Sequence, residues 1–211
     1  FWNEAWESNQ IGFHQSEVNA NLIKYFHHFT NNDAPFFVPL CGKSKDMDWI
    51  NSQGHHVVGV EIIEKAITEF FQERNLHPEV IQLATNASCY QTKEFKLYHQ
   101  DIFDFQSSPL LNIYDRGSLI ALPNEIRIKY AQKIIELTTT GSAILLITLS
   151  YDQNIVKGPP FSVPSSAVEE LFADHFKIKT LQNSTVDSLN PRFITAGLTE
   201  MNHHVFFLER N

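Results

Sequence analysis

The residues with the most chemical character sit just after apolar runs. In VPLCGKSKDMDW (38–49), Gly42 is followed by Lys43 and Ser44, the ending of a phosphate-binding loop. Such a loop needs a second glycine five positions earlier, so that successive backbone amides wrap the phosphate oxygens. Phe37 stands there, and the phosphate reading is weak. Glu61 follows nineteen positions after Gly42, the separation at which nucleoside-binding folds set a carboxylate on ribose hydroxyls. Because Gly42 does not open a full G-x-G-x-x-G, a dinucleotide pyrophosphate fits poorly. A ligand with an adenosine ribose and no phosphates fits better, and S-adenosylmethionine is such a ligand. The plainer alternative is a helix-start glycine and a solvated glutamate.

Three further stretches follow: Asp115-Arg116-Gly117, Ser150-Tyr151-Asp152 and the turn Gly158-Pro159-Pro160-Phe161. In a parallel sheet, ligands bind where strands end, so these residues would converge over the reactive end of such a ligand. Arg116 stays protonated and is a poor base; it can steady an anion, or it is half of an ion pair with Asp115 or Asp152. Cys41, beside a helix start, has the setting of an activated thiol, yet packing is the expected role. The ten histidines include the pairs His27-His28, His55-His56 and His203-His204 but no H-x-x-x-H. Zinc wants three or four convergent ligands, and no metal site is expected.

Apolar periodicity supplies the elements that must hold these residues. Ser16 caps an expected helix whose apolar face carries Val18, Leu22, Tyr25, Phe26 and Phe29. FFVP (36–39) reads as a short buried strand, leading through the Gly42 turn into a helix with Met47 and Ile50. HHVVGVE (55–61) is a second strand, before a helix with Ile63, Ile67, Phe70 and Phe71 on one side. A hairpin near 89–98 precedes the strand NIYD (112–115). Residues 125–138 form a helix with Ile128, Ala131, Ile134, Ile135 and Thr138 at helical spacing. SAILLITLS (142–150) has the continuous apolar look of a central parallel strand. A helix at 166–174, capped by Ser165 or Ser166, leads to FKIKTL (176–181), and HHVFFLE (203–209) closes an antiparallel edge. The expectation is one α/β domain over 1–211, with helices on both faces of a mostly parallel central sheet.

Composition narrows the partners. A chain of 211 residues with 43% apolar side chains and 17 Phe has enough core for a globular fold. A net charge of −8 without a Lys/Arg cluster argues against nucleic acid. Apolar runs of a few residues, such as Ala143 to Ile147, exclude a membrane helix, which needs about 20. Cys41 and Cys89 make no disulfide framework, which suits a reducing cytoplasm; no signal peptide is visible, and the sequons at Asn86 and Asn183 are then chance matches.

Several long strings in order carry a resemblance: Trp2 and Trp6, IGFHQ (11–15), VPLCGKS (38–44), GHHVVGVE (54–61), FF.E.NL (70–76), DIF (101–103), YDRGSLIALP (114–123), LSYDQ (149–153) and GPPFSVP (158–164). From Trp2 to about Phe172 the chain resembles the thiopurine S-methyltransferases, most closely their bacterial branch. The resemblance implies a Rossmann-like class I methyltransferase fold and S-adenosylmethionine as donor, with S-adenosylhomocysteine as product. It implies that residues 1–30 cover the cofactor, with Trp2, Trp6 and Phe13 near its sulfonium. Leu40 and Gly42 then line the methionine side, Glu61 takes the ribose hydroxyls, Asp101 and Ile102 flank the adenine, and Arg116 lies between cofactor and acceptor. Phe13, Asp152, Pro160 and Phe161 form the acceptor pocket of a cytoplasmic monomer acting on a small thiol. Past residue 176 the pattern departs, and NSTVDSLNPRFITAG (183–197) leaves Arg192 an open question. Selenium or tellurium species are the rival acceptors, and a non-catalytic binder of the cofactor is the rival class.

Overall fold

In the computed structural model, which describes residues Phe1 to Asn211, the wholly buried run Phe36–Pro39 forms strand β1 within the first of two units, Phe1–Tyr114 and Asp115–Asn211. β1 pairs in parallel with β2 (Val57–Glu61) on one side and with β6 (Asn112–Arg116) on the other. β2 pairs in parallel with β5 (Phe95–His99), and antiparallel pairing then adds β4 (Ala87–Gln91) and β3 (Glu79–Ala84). The order in this unit is β3-β4-β5-β2-β1-β6. The inner strands are buried, which is why they read as continuous apolar runs and not as alternating ones.

Four helices belong to this unit: α1 (Trp2–Glu7), α2 (Ala20–Tyr25), α3 (Lys45–Ser52) and α4 (Glu64–Glu73). α4 buries Ala66, Ile67, Phe70 and Phe71, the stripe its periodicity promises. α2 starts later than Ser16 implies. Asn19 is its cap, its side chain accepting from the Asn21 amide at 2.9 Å, while its own amide donates to Asp46 at 2.8 Å. The buried Asp46 carboxylate also accepts from Tyr114 Oη at 2.9 Å, so a polar anchor outside the helix fixes where it begins. β3 was not anticipated: every one of its residues is exposed, and burial leaves no period to read.

The second unit contains β7 (Ala143–Ser150), β8 (Phe176–Thr185) and β9 (Asn202–Arg210), with β9 antiparallel to both others. The run read as a central parallel strand thus meets an antiparallel partner along its whole length. α5 (Asn124–Glu136) buries Arg127, Tyr130, Ala131 and Ile134. Ile128, placed on the apolar face by spacing, is 45% exposed. The stripe is rotated because two polar residues turn inward: Tyr130 Oη donates to Asp115 at 2.7 Å, and Arg127 donates to the carbonyls of Leu119 and Leu122 at 3.3 and 3.1 Å. α6 (Ser165–Phe172) follows Pro164 at its cap with no side-chain cap bond, so neither Ser165 nor Ser166 fills that role. A short α7 (Pro191–Thr195) lies in the segment left unassigned, capped by Asn190 with Pro191 at its first turn. No helix is long and apolar enough to cross a membrane.

Candidate active site

In the first unit the site is built where β1 and β2 end. Leu40 (φ 44°) and Gly42 (φ 52°) are both left-handed, so the chain reverses tightly around Cys41. Glycine takes that backbone without steric cost, and leucine does not. The turn places the Gly42 amide 2.9 Å from Glu61 Oε2, and the Ile63 amide donates to Glu61 Oε1 at 2.9 Å. Glu61 is 6% exposed, so it is not a solvated strand-end residue. Its carboxylate spans the gap between two strand ends. Burial raises its pKa, against the opposing pull of the Ile63, Gly42 and Ile62 amides. Each carboxylate oxygen has a second lone pair with which to accept a ligand hydroxyl.

The rest of the Gly-Lys-Ser stretch is structural. Lys43 is buried, with Nζ 2.7 Å from Glu69 and 2.6 Å from Glu73 on α4. Ser44 caps α3, its hydroxyl oxygen accepting from the Asp46 amide at 3.2 Å. A lysine held by two carboxylates does not reach for phosphate.

Cys41 packs tightly on β2: a Cβ on Gly59 would sit 2.7 Å from its sulfur. Burial, then the Glu61 charge, pushes its thiol pKa well above the ordinary value, the reverse of an activated nucleophile. Cys41→Ser should therefore keep its turnover per folded molecule while losing about 1–3 kcal/mol of stability for burying a hydroxyl. Denaturant unfolding and steady-state rates measured together check this. A folded variant slowed by several orders of magnitude would restore covalent catalysis.

The N-terminal segment lies over this turn. Trp6 is buried and packs with Ile63 and Ala66, with Trp2 and Ile11 against the cluster. Phe13 meets Trp2 edge-on at 5.3 Å and Trp6 at 5.9 Å, and is itself 41% exposed. A Cβ on Gly42 would come 3.4 Å from the Trp6 indole. Lys65 Nζ donates to the Trp6 carbonyl at 2.8 Å, tying the segment to α4. Beyond β5, Gln100 N donates to the Glu61 carbonyl at 3.1 Å, Asp101 accepts from the Phe103 amide at 3.0 Å, and Ile102 is buried. Asp101 lines a cleft of about 980 Å³ together with Ile62, Glu64, His99, Gln100 and Asp104. The structure thus brings Trp6, Gly42 and Glu61 into contact and sets Asp101 close by.

The second unit holds the other expected residues. Arg116 ends β6 half-buried, while the carboxylate of its neighbour Asp115 accepts from Tyr130 and the Leu119 amide. Tyr151 donates from its hydroxyl to the Pro160 carbonyl and from its amide to Ser162 Oγ at 3.0 Å, bracing the proline turn. Phe161 N donates to the Ile120 carbonyl at 2.6 Å, and its ring covers Gly158. Asp152 lines a cleft of about 520 Å³ with Ser150, Tyr151, Ser162, Glu200 and Asn202. Arg192, unresolved by the sequence, donates to the Pro159 carbonyl at 3.0 Å and so stands against this turn. The signal for it was present: Asn190-Pro191 is a helix start, and the capping bond to the Arg192 amide is 3.0 Å.

These two constructions sit in the fold of a methyltransferase. The chain superposes over its whole length on the magnesium protoporphyrin IX methyltransferase of Synechocystis solved with bound S-adenosylhomocysteine, covering 98% of that chain at a TM-score of 0.68 and 13% identity. It superposes likewise on the 1,6-didemethyltoxoflavin-N1-methyltransferase of Burkholderia thailandensis, covering 85% of it at a TM-score of 0.67 and 13% identity. At such identity the likeness is one of fold. Sequence relatives are nearer: the thiopurine S-methyltransferase of Vibrio atlanticus is 40% identical over 210 residues, 99% of this chain and 96% of that one. That of Aliivibrio fischeri strain MJ11 is 41% identical over 210 residues, 99% and 98% of the two chains. The family model for thiopurine S-methyltransferase matches residues 1–211. The chain belongs to the thiopurine S-methyltransferase family and is an enzyme of the methyltransferase type.

Proposed function

We propose that the enzyme methylates the sulfur of small aromatic or heterocyclic thiols of the thiopurine type, with S-adenosylmethionine as donor. The observation that carries this reading is the buried Glu61 carboxylate, braced by the Gly42 and Ile63 amides. A braced carboxylate with lone pairs to spare suits a pair of ribose hydroxyls, and the Trp6, Trp2 and Phe13 rings suit a sulfonium through cation–π attraction. The residues present therefore fit this cofactor. When bound, it supplies an already activated methyl group, so the chain has only to bind, align and exclude water. Leu40 and Gly42 are assigned to the methionine portion, Asp101 and Ile102 to the adenine, and Phe13, Asp152, Pro160 and Phe161 to the acceptor. Arg116 is assigned the task of favouring the thiolate. The sulfur's electron pair forms the new bond to the methyl carbon, and the pair of the broken bond stays on the cofactor's sulfur.

Incubation of the enzyme with S-adenosylmethionine and a thiopurine, followed by mass spectrometry, should show the thiopurine gaining one methyl group. Cofactor binding without any methylated thiopurine would overturn the reading and leave a methyltransferase of another acceptor.

A further inference from the structure

One buried polar pair has no part in the scheme above. The antiparallel register sets Thr148 opposite His204 and Ser150 opposite Asn202, so Ser150 and His204 are diagonal neighbours on one face of the second unit's sheet. His204 Nε2 lies 2.7 Å from Ser150 Oγ. The ring is 5% exposed, and its other nitrogen, Nδ1, is buried without a hydrogen-bond partner. Burial, with His203 beside it, lowers the pKa of this imidazole, which keeps the ring neutral with a single N–H. A buried N–H left unpaired is rarer and costlier than an unpaired acceptor. The proton therefore belongs on Nε2, which donates to Ser150 Oγ. That bond takes one lone pair of the serine and leaves its own O–H to find another acceptor.

Ser150 lines the cleft of about 520 Å³ that Asp152, Glu200 and Asn202 also line. We propose that the Ser150 hydroxyl, set as a donor by His204, hydrogen-bonds an acceptor nitrogen of a heteroaromatic ring seated in this cleft. Ser150 is then a specificity-determining residue, and His204 is the positioning residue behind it. The carboxylates of Asp152 and Glu200, which also line the cleft, accept from N–H groups on the ring's other edge. A purine carries both acceptor nitrogens and N–H groups and satisfies both demands. The assignment rests on the thiopurine-type acceptor proposed above and says which part of that acceptor the cleft recognises.

The test uses the full chain saturated with S-adenosylhomocysteine, titrated calorimetrically with purine-6-thiol and with its 3-deaza and 7-deaza analogues, each lacking one acceptor nitrogen. In the wild type, one of the two analogues should bind about tenfold more weakly, the size of one lost hydrogen bond to a desolvated donor. Ser150→Ala should erase that penalty. His204→Phe, which keeps the ring shape without the N–H, should shrink it, and His204→Gln, whose amide N–H can replace Nε2–H, should restore it. The rescue separates positioning from packing, and the two His204 variants give the answer even if Ser150→Ala does not fold. A wild type indifferent to both analogues, or an intact penalty in folded Ser150→Ala, overturns the inference while leaving methyl transfer untouched. A penalty that behaves as stated without methylation of purine-6-thiol overturns the proposed activity alone. Failure of all three purines to bind overturns both.

Discussion

Glu61→Ala should weaken S-adenosylmethionine binding by about tenfold to several hundredfold. Hydrogen bonds to a charged group are worth about 1.5–3 kcal/mol each, and about 1.4 kcal/mol is one decade of affinity. The loss of one such bond accounts for that range, and the loss of both ribose hydroxyls' bonds would carry it higher. The alanine variant also strips the brace from the Gly42 and Ile63 amides, so Glu61→Gln is the sharper probe. It keeps an acceptor oxygen in place and removes the charge. The pH dependence separates the two effects. Burial raises the Glu61 pKa in the unliganded protein, and hydroxyls donating to the carboxylate favour its ionised form. Affinity should therefore be full above the raised pKa, fall as the pH drops through it, and be accompanied by proton release within that window. Glu61→Gln should be flat across the same window and weaker than the wild type above it. Calorimetry in two buffers of different ionisation enthalpy measures both quantities. A wild type with no pH dependence there would remove Glu61 from the cofactor.

Arg116→Ala should lower turnover and move the kcat profile to higher pH. A sulfur nucleophile reacts far better as thiolate than as thiol, and a guanidinium within reach of it lowers the bound thiol's pKa. In the wild type, kcat/KM should rise with pH and level off near the acceptor's own thiol pKa, because that parameter reports ionisations of the free species. Two acceptors of different acidity should give two plateaus. Arg116→Lys should recover only part of the loss, since a point charge replaces a planar fork of donors. Profiles that do not track acceptor acidity would reveal an enzyme base in control. An alanine variant indistinguishable from the wild type would make Arg116 a structural residue.

What could be read from the sequence was what burial writes into it. β1, β2 and α4 announce themselves because their apolar residues face one interior, and the Gly42–Glu61 spacing announces a site because both residues sit at strand ends. The bond that joins those two residues is not legible, since it depends on a left-handed turn at Leu40 that no residue type there signals. β3 was invisible because exposure leaves no pattern. The phase of α5 was misread because Tyr130 and Arg127, polar by type, are drawn inward by Asp115 and by two carbonyls. The pairing of Ser150 with His204 spans 54 positions and is set by strand register alone, which a sequence carries only implicitly. Lys43 shows the converse: its motif was plain, and its partners, on a helix 26 and 30 positions away, decide what it does.

The N-terminal segment also gives the enzyme its own lamp. Of the three tryptophans in the chain, Trp2 and Trp6 lie within the first seven residues, one half-buried and one wholly buried above the Gly42 turn. The third, Trp49, sits on α3 edge-on to Phe26, away from that turn. Intrinsic emission is therefore weighted toward the segment that lies over the Glu61 site. Its colour reads how dry the Trp6 indole is, against a steady background from Trp49. A blue or red displacement on adding the methyl donor or its spent product is then an optical record of ligand arriving under that segment, with no dye attached and no residue changed.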